Sequence, residues 1–230
     1  MNSSSTTPRP RPTAPAAVLF DRDGTLVEDV PYNGDPAAVR LRPGAEHVVR
    51  ALRDRGIPVG LVTNQSGIGR GVLSWRQVRA VNARVSALVG GLDTVQVCPH
   101  RPDERCDCRK PRPGLVLAAA ERLGVPASET WLVGDIESDV LAVRAVGGTG
   151  VLVPNGRTRA VEVRRAPCVA DDLRHALRML LDGAPRRRAV GVPAPSHVPR
   201  LPSHSAREPA RLRRTPPAVD DRIRPTGGTS

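Results

Sequence analysis

The sequence predicts an α/β fold in which helices cover both faces of a parallel β-sheet. Five short apolar runs, rich in β-branched residues, alternate along the chain with longer segments of helical periodicity. Near-continuous apolar strands are typical of parallel sheets that are buried on both faces, and regular strand–helix alternation is typical of Rossmann-like folds. Aromatic residues make up only 2% of the chain, so we expect a core of valine, leucine and alanine.

The individual elements follow from turn and capping signals. The predicted strands cover residues 17–20, 58–62, 94–98, 130–133 and 151–153. The predicted helices cover residues 44–55, 74–89, 114–123, 137–146 and 171–181. Ser74 and Gln77 have the spacing of a capping box at the start of the second helix, and glycines follow the last three helices.

The chain is predicted to form one domain between two extensions. Its 230 residues carry a net charge of +12, with 34 arginines and a single lysine, Lys110. Residues 183–230 hold ten arginines, nine prolines and no aromatic residue, so they lack the apolar surface for a core. We therefore predict a disordered extension at 1–15, a folded domain at 16–182 and a disordered Arg/Pro-rich tail at 183–230.

The composition also constrains location and partners. No apolar run approaches the ~18 to 20 residues of a membrane span, and the N-terminus has no apolar leader. We expect a cytoplasmic, monomeric protein without membrane association. The basic tail leaves one different class open, a zinc-containing nucleic-acid-binding protein. Against that alternative, base-stacking aromatics are scarce, and the predicted domain carries only about +3.

Two aspartates follow the first predicted strand. Asp21 and Asp23 come directly after the apolar run, and Gly24 lets the chain turn away sharply. Ligands of open α/β sheets bind beyond the carboxyl ends of the strands, so both carboxylates can face one pocket. One can act as a nucleophile while the other transfers a proton.

Two other strands are also followed by polar groups. Thr63 and Asn64 open a glycine-containing loop after the second strand, and such loops suit phosphate oxygens. Asp135 follows the fourth strand, and Asp139 lies four residues later. With Asp21 nearby, these acids can supply oxygen ligands for Mg²⁺, although acids also simply favour a helix N-terminus.

The lone lysine lies between the third strand and the helix after it. Lys110 is preceded by Arg109 and followed by a proline. A compact ammonium group at this position can offset the repulsion between a carboxylate and a phosphate.

A cluster of cysteines precedes this lysine. Cys98, His100, Cys106 and Cys108 have the spacing C-x-H-x₅-C-x-C. Three thiolates and one imidazole complete a tetrahedral Zn²⁺ site with no open position, so we predict a structural zinc that orders the loop.

Together, these motifs resemble the haloacid dehalogenase-like (HAD) phosphohydrolases over residues 16–182. The resemblance rests on Asp-x-Asp-Gly-Thr at 21–25, Thr-Asn-Gln at 63–65, Lys-Pro at 110–111 and Gly-Asp-x-x-x-Asp at 134–139. It implies that Asp21 is the nucleophile and forms an aspartyl-phosphate, and that Asp23 is the general acid and base.

The resemblance also implies the binding residues. Thr63 and Lys110 would hold the phosphoryl group with Asn64, and catalytic Mg²⁺ would be held by Asp21, the backbone carbonyl of Asp23, and Asp135. Asp139 is expected to support Lys110 or a metal-bound water. The chain has Ile136 after Asp135, where related sugar phosphatases can carry a polar or basic residue.

The zinc loop narrows the resemblance to a branch without a separate cap domain, which acts on heptose bisphosphates and on histidinol phosphate. We therefore expect a small phosphorylated sugar as substrate, in first place the 7-phosphate of D-glycero-D-manno-heptose 1,7-bisphosphate. Arg109 would contact the far end of this substrate, and Arg70 is a weaker candidate for the same contact. Histidinol phosphate, another small phosphate ester and a phosphorylated DNA end remain alternatives.

Overall fold

The computed structural model describes residues 14–182, which contain a five-stranded sheet. Its strands are β1 (Ala17–Phe20), β2 (Val59–Asn64), β3 (Thr94–Cys98), β4 (Thr130–Gly134) and β5 (Thr149–Leu152). All neighbouring strands are parallel, and their order is β3-β2-β1-β4-β5. The predicted parallel sheet is confirmed, and β1 lies at its centre.

Seven α-helices accompany these strands in the described residues. They are α1 (Ala45–Arg53), α2 (Ser66–Gly69), α3 (Trp75–Val89), α4 (Gly114–Leu123), α5 (Glu137–Arg144), α6 (Ala160–Arg165) and α7 (Leu173–Asp182). None of the described helices is long and apolar enough to cross a membrane.

Helices pack on both faces of the sheet because side chains alternate along each strand. Val18 and Phe20 of β1 join an apolar cluster with residues of α1, α3 and α7. Leu19 points the other way, into a second cluster with α4 and α5. Phe20 and Trp131 are the only aromatic residues in these clusters, so the expected valine, leucine and alanine core is confirmed.

The strand register brings the chemistry-bearing residues together. Phe20 at the end of β1 pairs with Leu61 of β2 on one side and Val133 of β4 on the other. The backbone N–H of Asp21 continues the ladder by donating to the carbonyl of Val133 at 2.9 Å. The segments that follow the three central strands therefore meet at one edge of the sheet.

Most predicted boundaries agree with the structure to within a few residues. The capping box is formed as expected, since Ser74 Oγ accepts from the N–H of Gln77 at 3.2 Å and Gln77 Oε1 accepts from the N–H of Ser74 at 2.9 Å. The short helices α2 and α6 were not predicted.

The long loops between the described strands and helices contain no additional domain. The loop between β1 and α1 contains one short 3-10 helix, Pro36–Ala38, and the loop between β3 and α4 contains another, Pro102–Glu104. The described residues thus form one α/β unit without a separate cap, as expected. The predicted extension at 1–15 and tail at 183–230 lie outside the described residues, apart from Ala14 and Pro15.

Candidate active site

A pocket of about 410 Å³ opens at the carboxyl edge of the sheet, above β1, β2 and β4. It is lined by every catalytic and phosphate-binding residue that the sequence predicted, and by the predicted metal ligand that follows β4: Asp21, Asp23, Thr63, Asn64, Arg109, Lys110 and Asp135. The structure therefore brings together groups that are far apart in the chain.

Lys110 connects the catalytic motifs at the bottom of this pocket. Its Nζ lies 2.5 Å from Oδ1 of Asp21 and 2.7 Å from Oδ1 of Asp139, and it donates to the carbonyl of Val62 at 2.8 Å. The side chains of Lys110 and Asp139 are almost fully buried. The expected support of Lys110 by Asp139 is thus present as a buried ion pair.

Burial and mutual repulsion disturb the ionisation of these carboxyl groups. Burial raises the pKa of Asp21 well above its ordinary value although Lys110 lowers it, and Asp139 and Asp135 add to the increase. Burial and the charge of Asp139 raise the pKa of Asp135 to about 6. For Lys110, burial lowers the pKa, but Asp139 and Asp21 outweigh burial and the pKa ends above its ordinary value.

The same carboxylates fit a divalent cation. One oxygen each of Asp21, Asp135 and Asp139 lie within 4.8 Å of one another. Three carboxylates against one ammonium group leave a negative excess, and carboxylate oxygens are the ligands that Mg²⁺ takes in proteins. Gly24 keeps the space open, because a Cβ there would overlap the carboxylate of Asp135.

Asp135 is oriented by a loop that follows β5. Asn155 Nδ2 donates to Oδ2 of Asp135 at 2.7 Å and to the carbonyl of Gly24 at 3.0 Å, and Thr158 Oγ1 donates to the carbonyl of Asp135 at 2.7 Å. The sequence reasoning missed Asn155 and Thr158. Applying the strand-end rule to β5 as well would have pointed to them.

Asp23 lies at the side of the pocket, in contact with the loop after β2. Its Oδ2 accepts from Gln65 Nε2 at 2.8 Å, and the same nitrogen donates to Oγ1 of Thr63 at 2.9 Å. Thr63 and Gln65 are both buried. Gln65 therefore links the second aspartate of the motif to the predicted phosphate-binding threonine.

Asn64 contacts the backbone of Lys110. Its Oδ1 accepts from the N–H of Lys110 at 3.1 Å, and its Nδ2 donates to the carbonyl of Lys110 at 3.2 Å. Both ends of this amide are thus used to fix the lysine, and its predicted phosphate contact stays a prediction.

The mouth of the pocket carries two guanidinium groups, those of Arg109 and Arg157. Arg157 Nη1 pairs with Oδ2 of Asp29 at 2.7 Å, and Arg109 Nη1 donates to the carbonyl of His100 at 3.3 Å. Arg70 is exposed and does not line the pocket. Residues 29–32 also line this pocket.

The four predicted zinc ligands come together at the end of β3. Sulfur–sulfur distances are 3.7 Å between Cys98 and Cys106 and 3.5 Å between Cys106 and Cys108. Nδ1 of His100 lies 3.6 Å from Sγ of Cys98 and 3.2 Å from Sγ of Cys108. Tetrahedral bonds of about 2.3 Å would separate sulfurs by roughly 3.8 Å, so the cluster fits one Zn²⁺.

The thiols of this cluster are electrostatically coupled. A hydrogen bond from Cys108 is the main cause that lowers the pKa of Cys98 to about 5, while the same contact raises the pKa of Cys108 above its ordinary value. The cluster thus favours a thiolate, which is the form that binds metal. Cys168 lies apart from these ligands, in the apolar core.

Known proteins are similar to this chain in sequence and in fold. A family model described as HAD-hydrolase-like matches residues 107–178. The D-glycero-β-D-manno-heptose-1,7-bisphosphate 7-phosphatase of Pseudomonas putida is 37% identical over 176 residues, which are 71% of this chain and 98% of the relative. The enzyme of the same name from Pseudomonas aeruginosa is 38% identical over 174 residues, which are 68% of this chain and 92% of that relative.

A solved structure extends the similarity to three dimensions. The D,D-heptose 1,7-bisphosphate phosphatase from B. bronchiseptica, complexed with magnesium and phosphate, superimposes with a TM-score of 0.65 at 31% identity. The match covers 73% of this chain and 99% of that protein.

The fold and the groups at its strand ends define a phosphomonoesterase, and the chain belongs to the HAD phosphatase family. Within this family it is related to the D-glycero-D-manno-heptose-1,7-bisphosphate 7-phosphatases.

Proposed function

We propose that the chain hydrolyses the 7-phosphate of D-glycero-D-manno-heptose 1,7-bisphosphate through an aspartyl-phosphate on Asp21. The observation that carries this proposal is the ion pair of Lys110 with Asp21 at the bottom of the pocket. A carboxylate that attacks a phosphate dianion meets like-charge repulsion, which a fixed ammonium group reduces. The names of the similar enzymes support the choice of the heptose bisphosphate.

In the first step, an oxygen of Asp21 attacks phosphorus and the bond between phosphorus and the C7 oxygen breaks. Protonated Asp23 gives its proton to the leaving oxygen, so the sugar departs as an alcohol. Lys110 and Thr63 hold the oxygens of the transferring group. Asn64 holds Lys110 in place through two hydrogen bonds to its backbone.

In the second step, water replaces the sugar. Asp23, now ionised, accepts a proton from the water, whose oxygen attacks phosphorus and displaces the carboxylate of Asp21. Inorganic phosphate leaves, and both aspartates return to their starting forms.

Two metal ions belong to this proposal. Asp21, Asp135 and the backbone carbonyl of Asp23 would hold Mg²⁺, which supplies charge neutralisation at the phosphoryl oxygens. Cys98, His100, Cys106 and Cys108 would hold a structural Zn²⁺ in the loop directly before Arg109. The magnesium of the B. bronchiseptica structure and the two ligand clusters of this chain support both assignments.

The charge of the pocket mouth favours a substrate with two phosphates. Arg109 and Arg157 both line it, and a guanidinium group forms paired hydrogen bonds with a phosphate. Histidinol phosphate carries an amine and an imidazole at its far end instead, to which guanidinium groups offer no acceptor, and the carboxylate of Asp29 at the mouth is already paired with Arg157 at 2.7 Å.

Phosphate release from purified full-length protein with Mg²⁺ tests the proposal. The substrates are the heptose 1,7-bisphosphate, histidinol phosphate and a 3′-phosphorylated oligonucleotide. We expect the highest kcat/KM for the bisphosphate, with the 1-phosphate left on the sugar. A preference for histidinol phosphate or for the DNA end would replace the proposed substrate, and no release from any of the three would exclude the reaction.

A further inference from the structure

Arg22, the residue between the two motif aspartates, is buried to an unusual degree. Only 1% of Arg22 is exposed, and it is the largest fully buried side chain among residues 14–182. A guanidinium group stays charged in proteins, and burying a charge is costly unless it is paired and hydrogen-bonded. Because burial of this charge costs free energy, the contacts that compensate for it indicate what the residue does.

Those contacts converge on Asp23. Arg22 Nε donates to Oδ1 of Asp23 at 3.0 Å, and Arg22 Nη2 donates to Oδ2 of the same carboxylate at 2.9 Å. This two-pronged contact fixes the plane of the carboxylate as well as its position. The contact with Gln65 on Oδ2 adds a third hydrogen bond from the opposite loop.

The guanidinium group is itself anchored to a helix. Its Nη1 donates to Oδ1 of Asn82 at 2.9 Å, and Asn82 lies on α3 with only 3% of the residue exposed. Asn82 contacts no other side chain of the pocket by a hydrogen bond that the structure describes. A chain of three residues thus leads from the helix, through Arg22, to Asp23.

We infer that Arg22, held by Asn82, is a positioning residue that aims Asp23 for proton transfer to the leaving group. This inference rests on the proposed role of Asp23 as general acid. Asp23 must meet the leaving oxygen in the first step and the water in the second, so its carboxylate needs a defined orientation in both. Arg22 supplies that orientation through its two hydrogen bonds to the carboxylate of Asp23.

The choice of leaving group separates this role from a purely structural one. A sugar alcohol must be protonated as it leaves, whereas p-nitrophenolate leaves readily without a proton. Because kcat/KM reports the step in which the leaving group departs, loss of general acid catalysis lowers it for the heptose bisphosphate and spares p-nitrophenyl phosphate. General acid catalysis raises a reaction rate by about 10²- to 10⁴-fold, so an Asp23 in the wrong orientation should lose a large part of this rate enhancement.

The experiment compares Arg22→Lys and Asn82→Ala with the unchanged protein on both substrates. We expect Arg22→Lys to lower kcat/KM for the heptose bisphosphate by about 30- to 100-fold, and for p-nitrophenyl phosphate by less than about 3-fold. Asn82→Ala should show the same selectivity with a smaller loss. Ser86→Ala is the matched control, because Ser86 is buried one turn further along α3 and its hydroxyl accepts from the N–H of Leu92, away from Arg22.

Asp23→Asn distinguishes failure of the inference from failure of the proposed function. If Asp23→Asn lowers kcat/KM for the heptose bisphosphate and for p-nitrophenyl phosphate by the same factor, the proposed role of Asp23 is wrong. The other outcome is that Asp23→Asn lowers kcat/KM for the heptose bisphosphate alone, while folded Arg22→Lys lowers kcat/KM for both substrates equally or for neither. In that case Arg22 serves the fold alone and the inference is overturned. Should Arg22→Lys fail to fold by circular dichroism, Asn82→Ala decides between the same outcomes.

Discussion

The ammonium group of Lys110 lies 2.5 Å from Oδ1 of Asp21, although the two residues are 89 positions apart in the chain. Lys110 is only 4% exposed and has three oxygen neighbours, those of Asp21, Asp139 and Val62. A protein with 34 arginines thus places its single lysine where the space admits a compact cation.

Lys110→Arg is therefore expected to lower kcat by at least about 100-fold. The planar guanidinium group is larger than an ammonium group, and it cannot point at all three oxygens from the same position. Phosphate release under saturating substrate measures the change, and thermal unfolding shows whether the larger side chain also destabilises the pocket. Turnover within about 3-fold of the unchanged protein would mean that any cation suffices there.

Asp21→Asn should abolish turnover and leave the fold intact. The amide cannot attack phosphorus, yet it is nearly isosteric and removes one charge from a crowded group of buried carboxylates, so we expect an unchanged or higher melting temperature. Mass spectrometry of acid-quenched protein should detect a phosphorylated peptide containing Asp21 in the unchanged protein only. Retained turnover would exclude Asp21 as nucleophile.

Asn155→Ala should weaken Mg²⁺ binding by about 10- to 100-fold, which is the usual effect of removing a group that orients a metal ligand. Asn155 fixes Oδ2 of Asp135, and no other side chain donates to that oxygen among the described residues. The concentration of Mg²⁺ that gives half-maximal activity is the measurement. Thr158→Ala provides a comparison with a smaller expected effect, because Thr158 Oγ1 donates to the backbone carbonyl of Asp135 rather than to its carboxylate, and also accepts from the N–H of Asn155 at 2.9 Å. Equal Mg²⁺ dependence of Asn155→Ala and the unchanged protein would contradict the prediction.

Cys106→Ser should remove the zinc and lower activity through the loop that carries Arg109 and Lys110. The cluster offers four ligands, and loss of one thiolate leaves a tetrahedral site incomplete. Zinc content after purification should fall from one ion per chain to a small fraction. Cys168→Ser is the control, since Cys168 lies outside the cluster and should leave the zinc content unchanged. A full zinc complement in Cys106→Ser would refute the site.

Arg109→Gln should raise KM for the heptose bisphosphate by about 10-fold and change kcat little. Arg109 lies at the pocket mouth, away from the reacting atoms, and loss of a charged hydrogen-bond donor costs about 1.5 to 3 kcal/mol. Its effect on heptose 7-phosphate, which lacks the second phosphate, should be small. Arg70→Gln is the control, because Arg70 is exposed and outside the pocket. An equal rise in KM for the heptose bisphosphate and for heptose 7-phosphate would mean that Arg109 does not contact the second phosphate.

The sequence predicted the parts of the site that follow from strand ends. Asp21, Thr63 and Asp135 were found because apolar strands are easy to recognise and parallel strands gather their carboxyl ends. Cys98 and its partners were found because metal ligands have a characteristic spacing. Neither inference needs knowledge of how distant segments pack.

The contacts that depend on packing were not predictable in the same way. Asn155 lies in a proline–asparagine–glycine segment that resembles an ordinary turn, and its partners are 20 and 131 positions away. Asn82 lies on a helix 60 positions from Arg22, on a face that periodicity alone assigns to the core. The short helices α2 and α6 have four and six residues, too few to establish a helical period.

The central position of β1 also limits how the chain can change. Three of its four residues, Val18, Leu19 and Phe20, are paired on both sides, and side chains along a strand alternate between faces. Exchanging one apolar residue of β1 for another would leave Asp21 in place. Inserting or deleting a single residue there would rotate Asp21 and Asp23 by half a turn, away from Lys110 and Asp135 together. Chains of this type can therefore vary the composition of the strand but not its length.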